Sequence, residues 1–305
     1  MNHTVSARLS PPSAAPAEAR RHGTGIVLVT ASAVAYSTAG YFTRLIHLDP
    51  WTILFWRGVF AGVFIGAVIV AHHRRGTPAA VRAIGVPGLI AASMSTIATI
   101  MFINAFRRTS VADVTIIFAT APFMTAALGW CWIRERESWP TLLASAVAFA
   151  GAVVMVGGAA TAGRLAGDVL AIGMTFCMSI MMLIIRRYRK TPMLPAACLS
   201  AFLCSLAVLP FARPASPGVV DMVFLVLFGT TQFGLGLLLL TLGARLVSAT
   251  ESALMNALEG PLAPLWVWLA FAEVPPRTTL IGGSIVLAAV FGHIAASARS
   301  RRVLE

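Results

Sequence analysis

The chain has 305 residues, 58% hydrophobic and only 11% charged, with mean hydropathy +0.84. A soluble domain carries about 25% charged residues, so a water-soluble globular fold is excluded. Lys and Arg number 23 against 11 acids, a formal net charge of +12. The basic residues stand in short clusters between long apolar runs, which is the punctuation of membrane spans rather than a nucleic-acid surface.

Residues 1–22, with S-P-P-S-A-A-P-A-E-A, are Pro/Ala-rich and predict a disordered tail. Ten apolar stretches near the 20 residues that a bilayer requires follow it. The first, about 24–43, carries Tyr36, Ser37 and Tyr41. A secretory leader fits it badly, because the apolar run is too long and the polar segment before it too extended. The second, about 51–71, holds Arg57 roughly 10 Å inside Pro50, within snorkelling reach of the interface. The third, about 84–105, carries Thr96, Thr99 and Asn104, and the fourth, about 111–132, carries Asp113 near its start and Pro122. The fifth, about 140–157, is the shortest; the sixth and seventh cover about 168–185 and 193–211. The eighth, about 219–241, contains Gln232 in G-T-T-Q-F-G-L-G. Its amide needs partners, and the glycines permit close approach.

The ninth stretch, about 249–271, contains A-L-M-N-A-L-E-G-P-L-A-P. Ser252, Asn256 and Glu259 follow at i, i+4 and i+7, so a continuous helix places them on one face. Such a stripe belongs in the bundle interior or a wet cavity, since lipid would leave it unpaired. Pro261 and Pro264 lack an N–H and crowd the carbonyls of Ala257 and Gly260, so a bend is expected at Gly260-Pro261. Glu251 lies near a helix start, where a carboxylate favours the positive dipole end. The tenth stretch, about 278–297, precedes a basic tail, 298–305.

The four cysteines fall inside expected spans without a C-x-x-C pair, and read as packing residues. Among the histidines only His293 falls inside a span, which argues against paired membrane histidines; with no H-E-x-x-H and no G-x-S-x-G, an intramembrane enzyme has little support. No metal or cofactor is expected. Ten spans put both ends on one side, with 16 of the 23 basic residues; the bias makes that side the cytoplasm.

The chain also repeats itself weakly. Gly25, Ser37, Arg44 and Pro50 match Gly167, Ser179, Arg186 and Pro192 at an offset of 142; Arg107, Ser110, Asp113 and Glu135 match Arg245, Ser248, Glu251 and Glu273 at 138. Five helices per copy is odd, so the second copy enters the membrane inverted, a construction of secondary transporters.

The strings F-W-R-G-V-F-A-G, A-F-R-R-T-S-V-A-D-V-T and P-F-M-T-A-A-L-G-W-C-W-I-R-E-R, with counterparts G-A-R-L-V-S-A-T-E-S and E-G-P-L-A-P-L-W-V-W-L-A-F-A-E, resemble the EamA type of the drug/metabolite transporter superfamily. In detail they are most similar to its YddG-type amino-acid exporter branch. One departure is the interruption of the usual Glu-Pro as Glu259-Gly260-Pro261. The resemblance implies an all-α inner-membrane carrier of ten helices. Two inverted repeats, 23–157 and 167–297, joined by 158–166, would surround a cavity lined by helices one, three, four, six, eight and nine. It implies a monomer without cofactor, exporting a small molecule, most favourably apolar or aromatic amino acids, by alternating access. Other metabolites or drugs, such as purines and cationic compounds, and a passive channel remain the alternatives. Expected substrate contacts are Glu259, Asn256, Ser252, Gln232, Tyr36, Ser37, Tyr41, Thr96 and Thr99; gating or structural roles fall to Arg57, Gly260, Pro261 and Pro122.

Overall fold

The structure, a computed structural model, describes residues 15–73, 77–109, 111–134, 136–156, 165–189 and 191–302. Every regular element among them is helical: α1 (Ala15–Ser37), α2 (Ala39–Leu45), α3 (Pro50–His73), α4 (Thr77–Arg82), α5 (Gly85–Arg108), α6 (Val111–Ala119), α7 (Ala121–Trp132) and α8 (Trp139–Val156). There follow α9 (Leu165–Arg187), α10 (Leu194–Val208), α11 (Val219–Leu227), α12 (Gly236–Gly243), α13 (Ala249–Asn256), α14 (Glu259–Phe271) and α15 (Arg277–Arg302). A π-helical stretch, Phe228–Leu235, joins α11 to α12.

Eight segments among the described residues are long and apolar enough to cross a membrane; Arg20–Leu45 is one of them despite its interruption at Thr38. The fourth and ninth expected spans are each two shorter helices instead, α6 with α7 and α13 with α14. The chemistry of the breaks is local. Thr38 Oγ1 donates to Ala35 O (2.7 Å) and Thr120 Oγ1 to Ile117 O (2.6 Å), side-chain bonds that compete with the helical ladder. Pro122 and Pro261 then stand in the first turns of α7 and α14, where a missing N–H costs nothing.

The expected tail needs correction. Residues 15–22 are helical, as good helix formers in A-E-A-R-R permit; residues 1–14 lie outside the described residues. So do 157–164, most of the expected connecting segment, and 303–305, while α15 runs on to Arg302 through part of the expected C-terminal tail.

The broadest packing joins α5 to α9, α8 to α15, α3 to α10 and α1 to α12. Glycine sets how close two of these pairs come. A Cβ on Gly282 of α15 would lie 2.3 Å from Met155 N and 2.4 Å from Gly151 O of α8. A Cβ on Gly25 of α1 would lie 2.7 Å from Leu246 Cβ, beside α12. Some features recur in register. The only non-glycine residues with positive φ among those described are Arg134 and Ala272, both at 56° and 138 residues apart. Each ends a span just beyond a split helix, and the breaks at Thr120 and at Ala257–Leu258 share that spacing.

Burial is uneven along the bundle. All eight residues of α13 are buried, together with Met181–Ile185 of α9, in the largest apolar cluster. No residue of α14 is buried. The end that carries the start of α1, the start of α13 and the end of α15, called the terminal end below, is therefore packed solid. Beyond the breaks, residues 115–120 and 259–267 are half-buried without exception.

Candidate functional site

The irregular backbone converges on one place. Arg57 stands on α3 with its guanidinium carbon 4.4 Å from the Phe233 ring centroid and 5.7 Å from that of Phe228. Both rings belong to the π-helical stretch, a device found disproportionately at functional sites. Gly229 makes the approach possible, since a Cβ there would lie 2.6 Å from Phe60 Cβ and 2.9 Å from Arg57 O. Arg57 thus turns to aromatic faces within the bundle rather than snorkelling to the interface. Its Nε is buried without a hydrogen-bond partner.

Glu259, half-buried at the start of α14, makes no hydrogen bond or ion pair among the described residues. Arg57 acts on it electrostatically, and both charges act on the half-buried Tyr36. Tyr36 lies across Gly236, whose added Cβ would meet the ring at 3.0 Å, and its carbonyl accepts from Gln232 Nε2 at 3.2 Å. Gln232 Oε1 is buried and unpartnered. One residue on, Ser37 Oγ accepts from Trp266 Nε1 at 2.7 Å, tying α1 to α14. An unpaired carboxylate and an unpaired guanidinium therefore share an interior lined by Tyr36, Phe228 and Phe233.

The other expected site residues are placed differently. Ser252 and Asn256 are buried in α13, and their Oγ and Oδ1 have no partner. The break at Ala257–Leu258 separates them from Glu259, so the shared face of one continuous helix does not exist. Ala257 O is not freed by Pro261, since Gly260 N donates to it at 3.2 Å. Pro264, inside α14, is the proline that withholds a donor. Gly260 and Pro261 are half-buried, and Pro122 is buried. Ser37 is fully buried. Thr96 is buried and donates to Ala92 O and Ser200 O, while Thr99 donates to Ser95 O; both hydroxyls are thus spent on backbone carbonyls. Tyr41 packs edge-on to Phe42 and against Phe271. Phe228 and Phe233 were not singled out by sequence, although Phe233 follows Gln232 directly.

A second polar cluster lies at the terminal end. Glu251 Oε1 is 3.2 Å from His22 Nε2 and 3.2 Å from His293 Nε2. Ser248 and Glu251 form a capping box, with Glu251 N donating to Ser248 Oγ at 3.0 Å, so the expected helix-start role holds. Ser248 Oγ in turn donates to Glu137 Oε2 at 3.0 Å. His22, taken for tail, lies in α1 and faces the same carboxylate as His293.

A bundle of apolar spans with charges held unpaired in its interior is the construction of a small-molecule transporter. The chain belongs to the EamA-like transporter family, whose pattern matches residues 23–157 and again 165–294. It is thus a multi-pass membrane protein of the drug/metabolite transporter class rather than an enzyme. It is 25% identical over 219 residues to solute carrier family 35 member G1 of Mus musculus, a match covering 64% of this chain and 58% of that protein's length. A solved crystal structure of a protein shares the fold, with TM-score 0.72 and 16% identity over 90% of this chain and 98% of the other.

Proposed function

We propose that the chain is an alternating-access carrier that exports small amphipathic metabolites across the inner membrane, with apolar and aromatic amino acids favoured. It has ten crossings in two inverted repeats and both termini in the cytoplasm. Support for the repeats comes from the double family match, the paired left-handed residues and the paired helix breaks. The packing partners also exchange under that register: α5 with α9 corresponds to α12 with α1, and α10 with α5 to α3 with the π-helical stretch.

The symmetry fails where a carrier needs it to fail. α13 packs on α9 and α8, and α1 on α15, at the terminal end. The corresponding pairs at the opposite end, α6 with α1 and α6 with α15, show no packing comparable to that of α13 among the described residues. A bundle shut at the terminal end and open at the other is one of the two states of such a carrier; two similar halves in opposite orientation give the second by exchanging roles.

The observation that carries the substrate class is the unpaired Glu259–Arg57 couple among aromatic rings. A ligand with an ammonium, a carboxylate and an apolar body satisfies all three features. The test is counterflow in proteoliposomes with phenylalanine, with the same skeleton lacking its carboxylate, and with the same skeleton lacking its amine. Saturable counterflow of phenylalanine is expected, with Glu259→Gln and Arg57→Gln each abolishing it in folded protein. Wild-type rates in both variants would refute the site. Conductance without counterflow would make the protein a channel.

A further inference from the structure

We propose that Asn256 is a second contact for the substrate's ammonium, used only in the state open at the terminal end. The inference rests on the carrier reading and adds to it a residue that the present state keeps out of play.

α13 is the half-helix that the two states treat differently. It packs on α7, α9 and α8 as well as on α1. In the register of the repeats, the first three contacts correspond to α6 with α14, α1 and α15. None of those pairs packs comparably among the described residues. The fourth corresponds to α6 with α9, which does pack. α6 also packs on α8, the counterpart of α13 on α15. Exchange of the halves therefore takes α13 off α7, α9 and α8, while it keeps α1 and gains α15.

Where each residue of α13 goes follows from its counterpart in α6. Asn256, 4% exposed, corresponds to Phe118, which is half-buried. Ser252 corresponds to Val114, 2% exposed, so it stays enclosed in both states. Phe118 and Met178 pack on one apolar cluster that includes Ala98. The positions corresponding to Met178 and Ala98 are Tyr36 and Gly236, which already lie against each other in the site. The exchange thus brings Asn256 to the wall of the interior that Glu259 and Arg57 share.

The chemistry names the ligand group. Asn256 Oδ1 is buried without a partner. A buried acceptor left unpaired is costly, and a donor met elsewhere in the cycle accounts for it. An amino acid with an apolar side chain offers donors only at its ammonium, whose three N–H groups can serve two acceptors at once. Glu259 stands three residues on, across a turn held tight by Ala257 N donating to Leu254 O and Leu258 N to Met255 O, both at 3.1 Å. Glu259 and Asn256 therefore take the ammonium together when the terminal end opens. At the opposite end the equivalent residue is Phe118, which has no acceptor, so the contact is one-sided. Substrate is held more tightly from the terminal side than from the other.

Exchange of phenylalanine in proteoliposomes, with one side saturated and the other titrated, reads the half-saturation of each side separately. In Asn256→Leu the terminal-side value should rise roughly 10- to 100-fold, the worth of a hydrogen bond to a charged group. The rise should vanish when the same skeleton without its amine competes from that side. A change in which end is open would act on both ligands alike, and that result overturns the contact. Thiol labelling with an impermeant reagent, read at the peptide that carries the residue, tests the motion without reference to substrate. Asn256→Cys should react from the terminal side only, and Ser252→Cys should not react. An unreactive Asn256→Cys, or equal reaction at both positions, overturns the inference. Asn256→Cys also lacks the amide and gives the kinetic reading should Asn256→Leu not fold. Phenylalanine counterflow with unchanged half-saturation in these variants would sink Asn256 alone; absence of counterflow in the wild type would sink the carrier reading.

Discussion

Replacing Gly25 or Gly167 with alanine should weaken the bundle without changing which end is open. The two residues occupy corresponding positions in the repeats, and each marks a close helix approach. A Cβ on Gly25 would lie 2.7 Å from Leu246 Cβ and 2.8 Å from Val247 Cγ1. A Cβ on Gly167 would lie 2.5 Å from Thr109 Cβ and 2.7 Å from Thr109 N. Ordinary carbon contacts are about 3.5–4.0 Å, so each pair must separate by about 1 Å. Overpacking of that kind costs about 1–3 kcal/mol. Gly167→Ala should sit at the upper end, because the obstacle is backbone and cannot rotate away. Both contacts join the first half of the chain to the second, one at each end, and both exist in one structure, so neither is a gate. Thermal unfolding in detergent and labelling of single cysteines at each end form the assay. Lower midpoints with unchanged labelling are expected. Gly25→Ala labelling at the terminal end with an unchanged midpoint would refute the reasoning.

Other perturbations test the site and the span ends. Phe233→Leu keeps apolar bulk but removes the face under Arg57, an interaction of about 0.5–2 kcal/mol; KM should rise by roughly 2- to 30-fold with maximal rate little changed, and an unchanged KM would detach Arg57 from binding. Asp49, between α2 and α3, caps the latter by accepting from Trp51 N, Thr52 N and Thr52 Oγ1. Burial alone would raise its carboxyl, but those hydrogen bonds and the charge of Arg213 outweigh it and hold the group below its ordinary range. A depressed value contributes stability above the unfolded-state value of about 3.9, lost as pH falls through the folded value. Acid unfolding below about pH 4 should therefore be shallower in Asp49→Asn, and an identical acid limb would count against the cap.

Sequence made the spans legible because apolar run length is a direct demand of the bilayer, and α3, α5, α9 and α10 follow it closely. It hid the breaks in the first, fourth and ninth stretches because hydropathy is blind to backbone continuity. The clue was available in Pro122 and Pro261: a proline in an apolar run more often opens a helix than bends one. Assuming continuity joined Ser252, Asn256 and Glu259 into one helix, whereas the first two stand in α13 and Glu259 opens α14. Arg57 and Glu259 were legible as costly charges, but their shared interior was not, since it depends on the π-helical turn that brings Phe233 beneath Arg57. His22, Glu251 and His293 meet only through tertiary packing, which no spacing along the chain encodes.

The break at Ala257–Leu258 explains how one expected span can hold two acids with opposite circumstances. Glu251 lies in the half-helix whose residues are all buried, fully engaged by a cap and two imidazoles. Glu259, eight residues later, opens a half-helix with no buried residue and has no partner among the described residues. A continuous helix would move both acids as one body. In the proposed carrier, two half-helices joined by a turn let α14 follow the ligand while α13 stays packed. Restoring continuity should remove that independence. Leu258→Ala with Pro261→Ala supplies helix-forming residues and a backbone donor at the break. Counterflow should slow in this variant while substrate affinity holds, because Glu259 and Arg57 are untouched. A variant that transports at the full rate with a helix shown continuous by hydrogen exchange would mean that the break serves packing alone.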